Sequence, residues 1–104
     1  MLKQKIYLLI KVNVVRSLLN EFNEYWEKES LPNWIKQGAK HIGSFVNLVG
    51  GPTNEIIRLF EFEDISHWEK YMEWRRSSKE GQESLKGLIR FIISLEERLL
   101  TSIY

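Results

Sequence analysis

Apolar positions along the chain alternate between the two-residue period of a strand and the period of a helix, and the switches mark the elements. Residues 5–12 place Ile6, Leu8, Ile10 and Val12 on one face and Tyr7, Leu9 and Lys11 on the other. That predicts a first strand, apolar on both sides except near its end. Asn13 then stands where a helix N-cap is expected, ahead of Val15, Leu18, Leu19, Phe22, Tyr25 and Trp26 at helical spacing. The opposite face, with Asn20, Glu21, Asn23, Glu24, Glu27 and Lys28, reads as solvated. Pro32 is expected to break or restart this helix, and a short piece over 33–37 should end at Gly38, a residue suited to a left-handed cap.

The centre of the chain carries the strongest pattern. Residues 42–49 and 55–62 alternate β-branched and aromatic residues, and residues 50–54, Gly-Gly-Pro-Thr-Asn, supply the backbone freedom of a hairpin connection. A second helix should begin near Ile65, capped by Asp64 or Ser66, with Ile65, Trp68, Met72 and Arg75 along one side and Tyr71 beside them. Residues 77–81 interrupt it, Leu85, Leu88 and Ile89 suggest a further turn or two, and 91–100 reads as the last strand. The order strand, helix, strand, strand, helix, strand predicts an α+β fold of the ferredoxin-like split βαβ type, a four-stranded antiparallel sheet with two helices on one face. Residues 1–104 read as a single domain of this kind.

Such a sheet leaves one face open. On the third strand Ile56, Arg58, Phe60 and Phe62 point one way, and Ile57 and Leu59 the other, flanked by Glu55 and Glu61. Both faces are apolar, and an exposed apolar face of that size usually marks an interface. A homodimer formed by packing two sheets about a two-fold axis is therefore expected.

Composition narrows the functions. A net charge of +1 gives no basic stripe for nucleic acid, and the absence of cysteine removes disulfides, thiolate metal sites and a cysteine nucleophile. No apolar run reaches the ~20 residues of a membrane span, and the run at 6–10 is too short for a secretory leader, so a cytoplasmic protein is expected. No phosphate-cradling glycine loop, nucleophile elbow or zinc-helix histidine spacing is present.

The residues that could carry chemistry each have a plainer reading. His41 and His67 are the only histidines. Brought together with Glu61, Glu63 or Asp64 they could hold a metal, and either could act as a base near neutral pH. The plain alternative is a strand-end residue for His41 and a partly exposed first-turn residue for His67. Trp26, Trp34, Trp68 and Trp74, with Tyr25 and Tyr71, are dense enough to line a cavity for a planar ligand, against the plain reading of core packing. Trp34 and Trp74 fall off the most apolar stripes, which leaves packing and cavity evenly balanced for those two. Arg58 is the one charge within the apolar alternation of a central strand, so it must be ion-paired or aimed at an acidic ligand.

The spacing Phe22-x-x-Tyr25-Trp26-x-x-x-x-Leu31-Pro32, then Gly38-Ala39-x-x-Ile42-Gly43-x-Phe45, then Gly51-x-x-Asn54-Glu55-Ile56-Ile57-x-Leu59-x-x-Phe62-x-Asp64, with Glu97-Arg98-Leu99-Leu100 near the end, resembles the NIPSNAP family of dimeric α+β barrel proteins. The resemblance implies a homodimer of ferredoxin-like subunits with a cavity between sheet and helices. Relatives of that architecture include cofactor-free monooxygenases, haem-degrading oxygenases and isomerases, and fold alone does not carry function. The sequence leaves three classes open: a pocket for a small apolar or planar molecule, a non-catalytic assembly protein, and haem or metal binding through a histidine. If the chain is an enzyme, the expected chemistry is cofactor-free oxidation or proton abstraction, with His67 as base, Arg58 stabilising an anion, and the aromatics with His41 around the substrate.

Overall fold

A computed structural model of the chain describes residues 4–103; residues 1 to 3 and 104 of the 1–104 reading lie outside the described residues. Strand β1 (Ile6–Val14) leads through a 3-10 turn (Arg16–Leu18) into helix α1 (Leu19–Tyr25), a π turn (Trp26–Ser30) and helix α2 (Leu31–Lys36). Strands β2 (Lys40–Val46) and β3 (Glu55–Phe62) follow, then helices α3 (Ile65–Ser77) and α4 (Lys79–Ile89) and strand β4 (Ile92–Thr101). The sheet is antiparallel in the order β2-β3-β1-β4, the ferredoxin-like arrangement expected.

Period-two alternation decides which side of the sheet meets the helices. Leu8, Ile10, Val12 and Val14 of β1 and Ile56, Arg58, Phe60 and Phe62 of β3 are buried. The opposite face is apolar at its centre, where Leu9 pairs with Leu59 and Phe45 with Ile57. Ion pairs rim that open face: Lys5 with Glu61 at 2.8 Å, Lys11 with Glu96 at 3.6 Å, and Arg98 with Glu96 at 2.7 Å. The buried layer itself falls into two clusters. One holds Leu8, Ile10, Trp26, Trp34, Phe60, Phe62 and Tyr71, and the other Val12, Val14, Phe22, Ile56 and Phe91, with Leu88 packed against both.

Several local expectations shift. Asn13 does not cap a helix; it stays in β1 opposite Glu55 and Ser94 and donates its side-chain amide to the Ser94 hydroxyl at 2.8 Å. Sheet pairing on both sides outweighs its capping preference. Pro32 stands in the first turn of a new helix, as a restart requires, but the chain enters it from the π turn without a break. The Leu31 N–H reaches back to the Trp26 carbonyl in the π turn, and the proline, with no N–H to place, follows in the first turn of α2. Strand β2 begins two residues earlier than expected and ends at Val46, so the connection lengthens to residues 47–54. The Asn47 side-chain amide donates to the Pro52 carbonyl at 2.9 Å and to Glu55 at 3.1 Å and closes that loop. Of the two candidate caps of α3, Asp64 serves, accepting from the His67 N–H at 2.9 Å. The interruption after it is a single residue, Ser78, whose hydroxyl caps α4 on the Gly81 N–H. Tyr71, not Ile65, is the buried member of α3.

Gly38 ends α2 with φ at +90°, as expected for a left-handed cap. A Cβ there would sit 2.8 Å from His67 Nε2, which accounts for glycine twice over. Gly38→Ala is expected to lower unfolding stability by about 1–3 kcal/mol, read as a fall in the urea midpoint; an unchanged midpoint would contradict the strained turn.

Candidate functional site

Across the helix-facing side of the sheet one row reads Ser44 on β2, Arg58 on β3, Ile10 on β1 and Glu97 on β4. A cation stands in the middle of an apolar layer. Arg58 is only 4% exposed, yet no carboxylate among the described residues bonds to it. Its guanidinium lies over the Trp26 ring, 3.5 Å from the centroid, and 5.6 Å from that of Phe22. One Nη donates to the Ser44 hydroxyl at 2.7 Å and the other to the Asn23 side-chain carbonyl at 3.2 Å. Nε finds no acceptor among the described residues. Burial pulls the guanidinium down to about 10, with the Glu27 carboxylate opposing that pull from a distance.

Beside Arg58, above Ile10 and Val12, lies a cavity of about 60 Å³ roofed by Phe22, Trp26, Trp34 and Leu88. At the far side of Ile10, two strand spacings or roughly 10 Å from Arg58, Glu97 is held by Arg75 of α3 at 3.4 Å. Glu97 is thereby occupied by a cation of its own. A second space of about 40 Å³ adjoins, lined by Tyr71, Trp74, Arg75 and Ser84 among others. Burial raises the Tyr71 phenol well above its ordinary value, so it stays protonated.

The structure separates the two histidines. His41 Nε2 lies 2.8 Å from the Ser44 hydroxyl, and its ring packs on Trp26 and Phe60 at centroid distances of 5.3 and 5.2 Å. Since Ser44 accepts from Arg58, its own proton is free to go to His41. The chain Arg58, Ser44, His41 results. His67 is engaged elsewhere: its Nδ1 accepts from the Glu63 N–H at 3.2 Å, its Nε2 donates to the Gln37 carbonyl at 3.1 Å, and its ring stands edge-on to Phe62. It ties the start of α3 to the turn after α2 and lines neither cavity. Among the described residues no group of three or more His, Asp or Glu is placed to hold a metal ion.

The aromatic residues divide likewise. Trp34 is buried, stacked between Phe60 at 4.1 Å and Tyr71 at 4.3 Å, with Trp74 next in the series at 5.8 Å from Tyr71. Trp26 and Trp34 therefore serve as core and cavity roof together. Trp68 is partly buried, its Nε1 without an acceptor among the described residues, and lines neither cavity. Sequence reasoning passes over Ser44 and Asn23, the two groups that hold Arg58. A bulge between His41 and Gly43 in the β2–β3 register puts both His41 and Ser44 on the helix side, and alternation alone cannot supply that.

Comparison with known proteins adds the family and the fold. The NIPSNAP family model matches residues 7–103. The chain is similar to an uncharacterized NIPSNAP domain protein from Burkholderia xenovorans, at 18% identity and TM-score 0.80 over 93% of each chain. A NIPSNAP family protein from Agrobacterium tumefaciens is also 18% identical, with TM-score 0.82 over 96% of this chain and 87% of that one. SnoaB, a cofactor-independent oxygenase from Streptomyces nogalater, is similar at 10% identity and TM-score 0.72 over 97% and 95% of the two chains. Among curated proteins none matches the sequence. These likenesses support the ferredoxin-like α+β fold, and no helix among the described residues is long and apolar enough to cross a membrane.

Burial first, and Arg58 second, hold His41 below the ordinary imidazole value. The folded chain thus resists a proton that the unfolded chain accepts. The His41 contribution to stability is complete above about pH 6.5 and is lost as pH falls from there through the folded value. An NMR titration of the His41 ring is expected to give a midpoint below 6.5, moved upward by Arg58→Met. A midpoint that Arg58→Met leaves in place would contradict the coupling.

Proposed function

The chain belongs to the NIPSNAP family, and for this member we propose that the space between Trp26 and the sheet binds the acid group of a small apolar organic molecule. The observation that carries the reading is Arg58, a buried guanidinium that, among the described residues, has acceptors for two of its five N–H donors and no carboxylate bonded to it. An isolated buried charge is costly, and an anion arriving with two oxygens would relieve that cost while gaining charge-assisted hydrogen bonds. The apolar roof of Phe22, Trp26 and Trp34 suits the carbon atoms next to the acid group. No cofactor enters this reading.

A catalytic reading of the same site is favoured by the fold likeness to SnoaB. A guanidinium that receives a carboxylate also stabilises an enolate; the Ser44–His41 pair bonded to it, though lining neither cavity, is the nearest candidate proton acceptor. The protein is further read as a homodimer through its open sheet face, where Leu9, Leu59, Phe45 and Ile57 form an apolar centre inside a rim of ion pairs.

Benzoate and benzamide separate the charge from the shape. Benzoate is expected to shift tryptophan fluorescence saturably, benzamide to do so at least tenfold more weakly, and Arg58→Gln to remove the difference. Equal binding of both compounds would contradict a site organised around a cation. In sedimentation, the native chain is expected at twice the chain mass and Leu59→Asp at the chain mass; a native monomer would contradict the open-face reading.

A further inference from the structure

The cavity at Arg58 is too small for a whole organic acid. Its volume of about 60 Å³ is several times the ~10–15 Å³ that one water needs but well below the ~300 Å³ at the lower end of small-molecule pockets, so it takes a head group and not the whole molecule. The remainder of a ligand has to leave through one of the walls, and the walls are unequal. Phe22, Trp26 and Trp34 are fixed in the core. Two other lining residues open to solvent: Leu85 on α4, 38% exposed, and Leu95 on β4, 48% exposed.

Their positions make one groove. Leu95 pairs with buried Val12 and so points to the helix side of the sheet, but the helix layer stops short of it. Leu85 begins the apolar stripe of α4, which continues through Leu88, a cavity wall, to Ile89, again exposed. At its other end the cavity is closed by the Arg75–Glu97 pair. The apolar exit therefore lies between α4 and β4.

We infer that this exit is the seat of an apolar tail, and that the ligand class is an amphiphilic monocarboxylate whose head sits at Arg58 and whose tail runs out between Leu85 and Leu95. The inference rests on the acid-site reading above and adds the direction and chemistry of the tail. An acid with a second charge at its far end is disfavoured, because that end would lie against leucine.

The test uses benzoate and a series of 4-alkylbenzoates with the full chain. Affinity is expected to rise roughly three- to fourfold for each added methylene that enters the groove. In Leu95→Ser and in Leu85→Ser the rise with alkyl length should flatten, with the far-ultraviolet circular dichroism and cooperative thermal unfolding of each variant showing that it folds. If benzoate fails to bind, the acid-site reading falls and the groove with it. If benzoate binds but alkyl length brings no gain, or the gain survives both substitutions, the tail inference is overturned and the acid site stands.

Discussion

The structure depends on an arginine buried without an anion. Placing a guanidinium in the apolar layer of a small protein is costly unless its charge is answered, and among the described residues Arg58 is hydrogen-bonded only by the neutral Ser44 and Asn23 and covered by the face of Trp26, with the Glu27 carboxylate acting on it without a bond. A cation over indole in a dry setting recovers about 2 kcal/mol, and neutral hydrogen bonds recover less than a carboxylate would. The consequence is visible in the core, which splits into two clusters on either side of the Arg58 row, with the cavity between them.

The surrounding elements keep that arrangement open. The π turn carries Trp26 over Arg58 and passes into α2 at the one proline of the segment, so that Trp34 lands on Phe60 and the roof stays continuous. Arg75 takes Glu97, the carboxylate in the same row of the sheet, and so keeps it from Arg58. The bulge in β2 brings Ser44 and His41 to the helix side, which gives the buried cation a polar neighbour that titrates. Each of these contacts follows from ordinary packing, and together they leave an anion site with an apolar exit.

Much of the fold was legible because it rests on periodicity. The alternation in β1 and β3, the Gly38 cap, the positive-φ glycines at 50 and 51, and the Asp64 cap are local signals that the structure repeats. Arg58 stood out as the one charge in a central strand for the same reason. What the sequence withheld depends on contacts distant along the chain. Asn13 carried a capping signal that pairing with β3 and β4 overrode. Trp34 lay off the apolar stripe of a regular helix, and only the π turn's extra residue rotates it inward. His67 was the candidate base, and the fold engages both its ring nitrogens with backbone groups. Ser44 carried no signal at all, since a register shift decides its side.

The most direct measurement compares the unfolding free energy of the native chain with that of Arg58→Met, without any added acid. If Arg58 is held in readiness for an outside anion, replacing it by an apolar side chain of similar length removes an unanswered charge, and stability should stay level or rise. A loss of about 3–5 kcal/mol, the size expected when a compensated buried charge network is broken, would instead make Arg58 a structural member of the core and contradict the proposal.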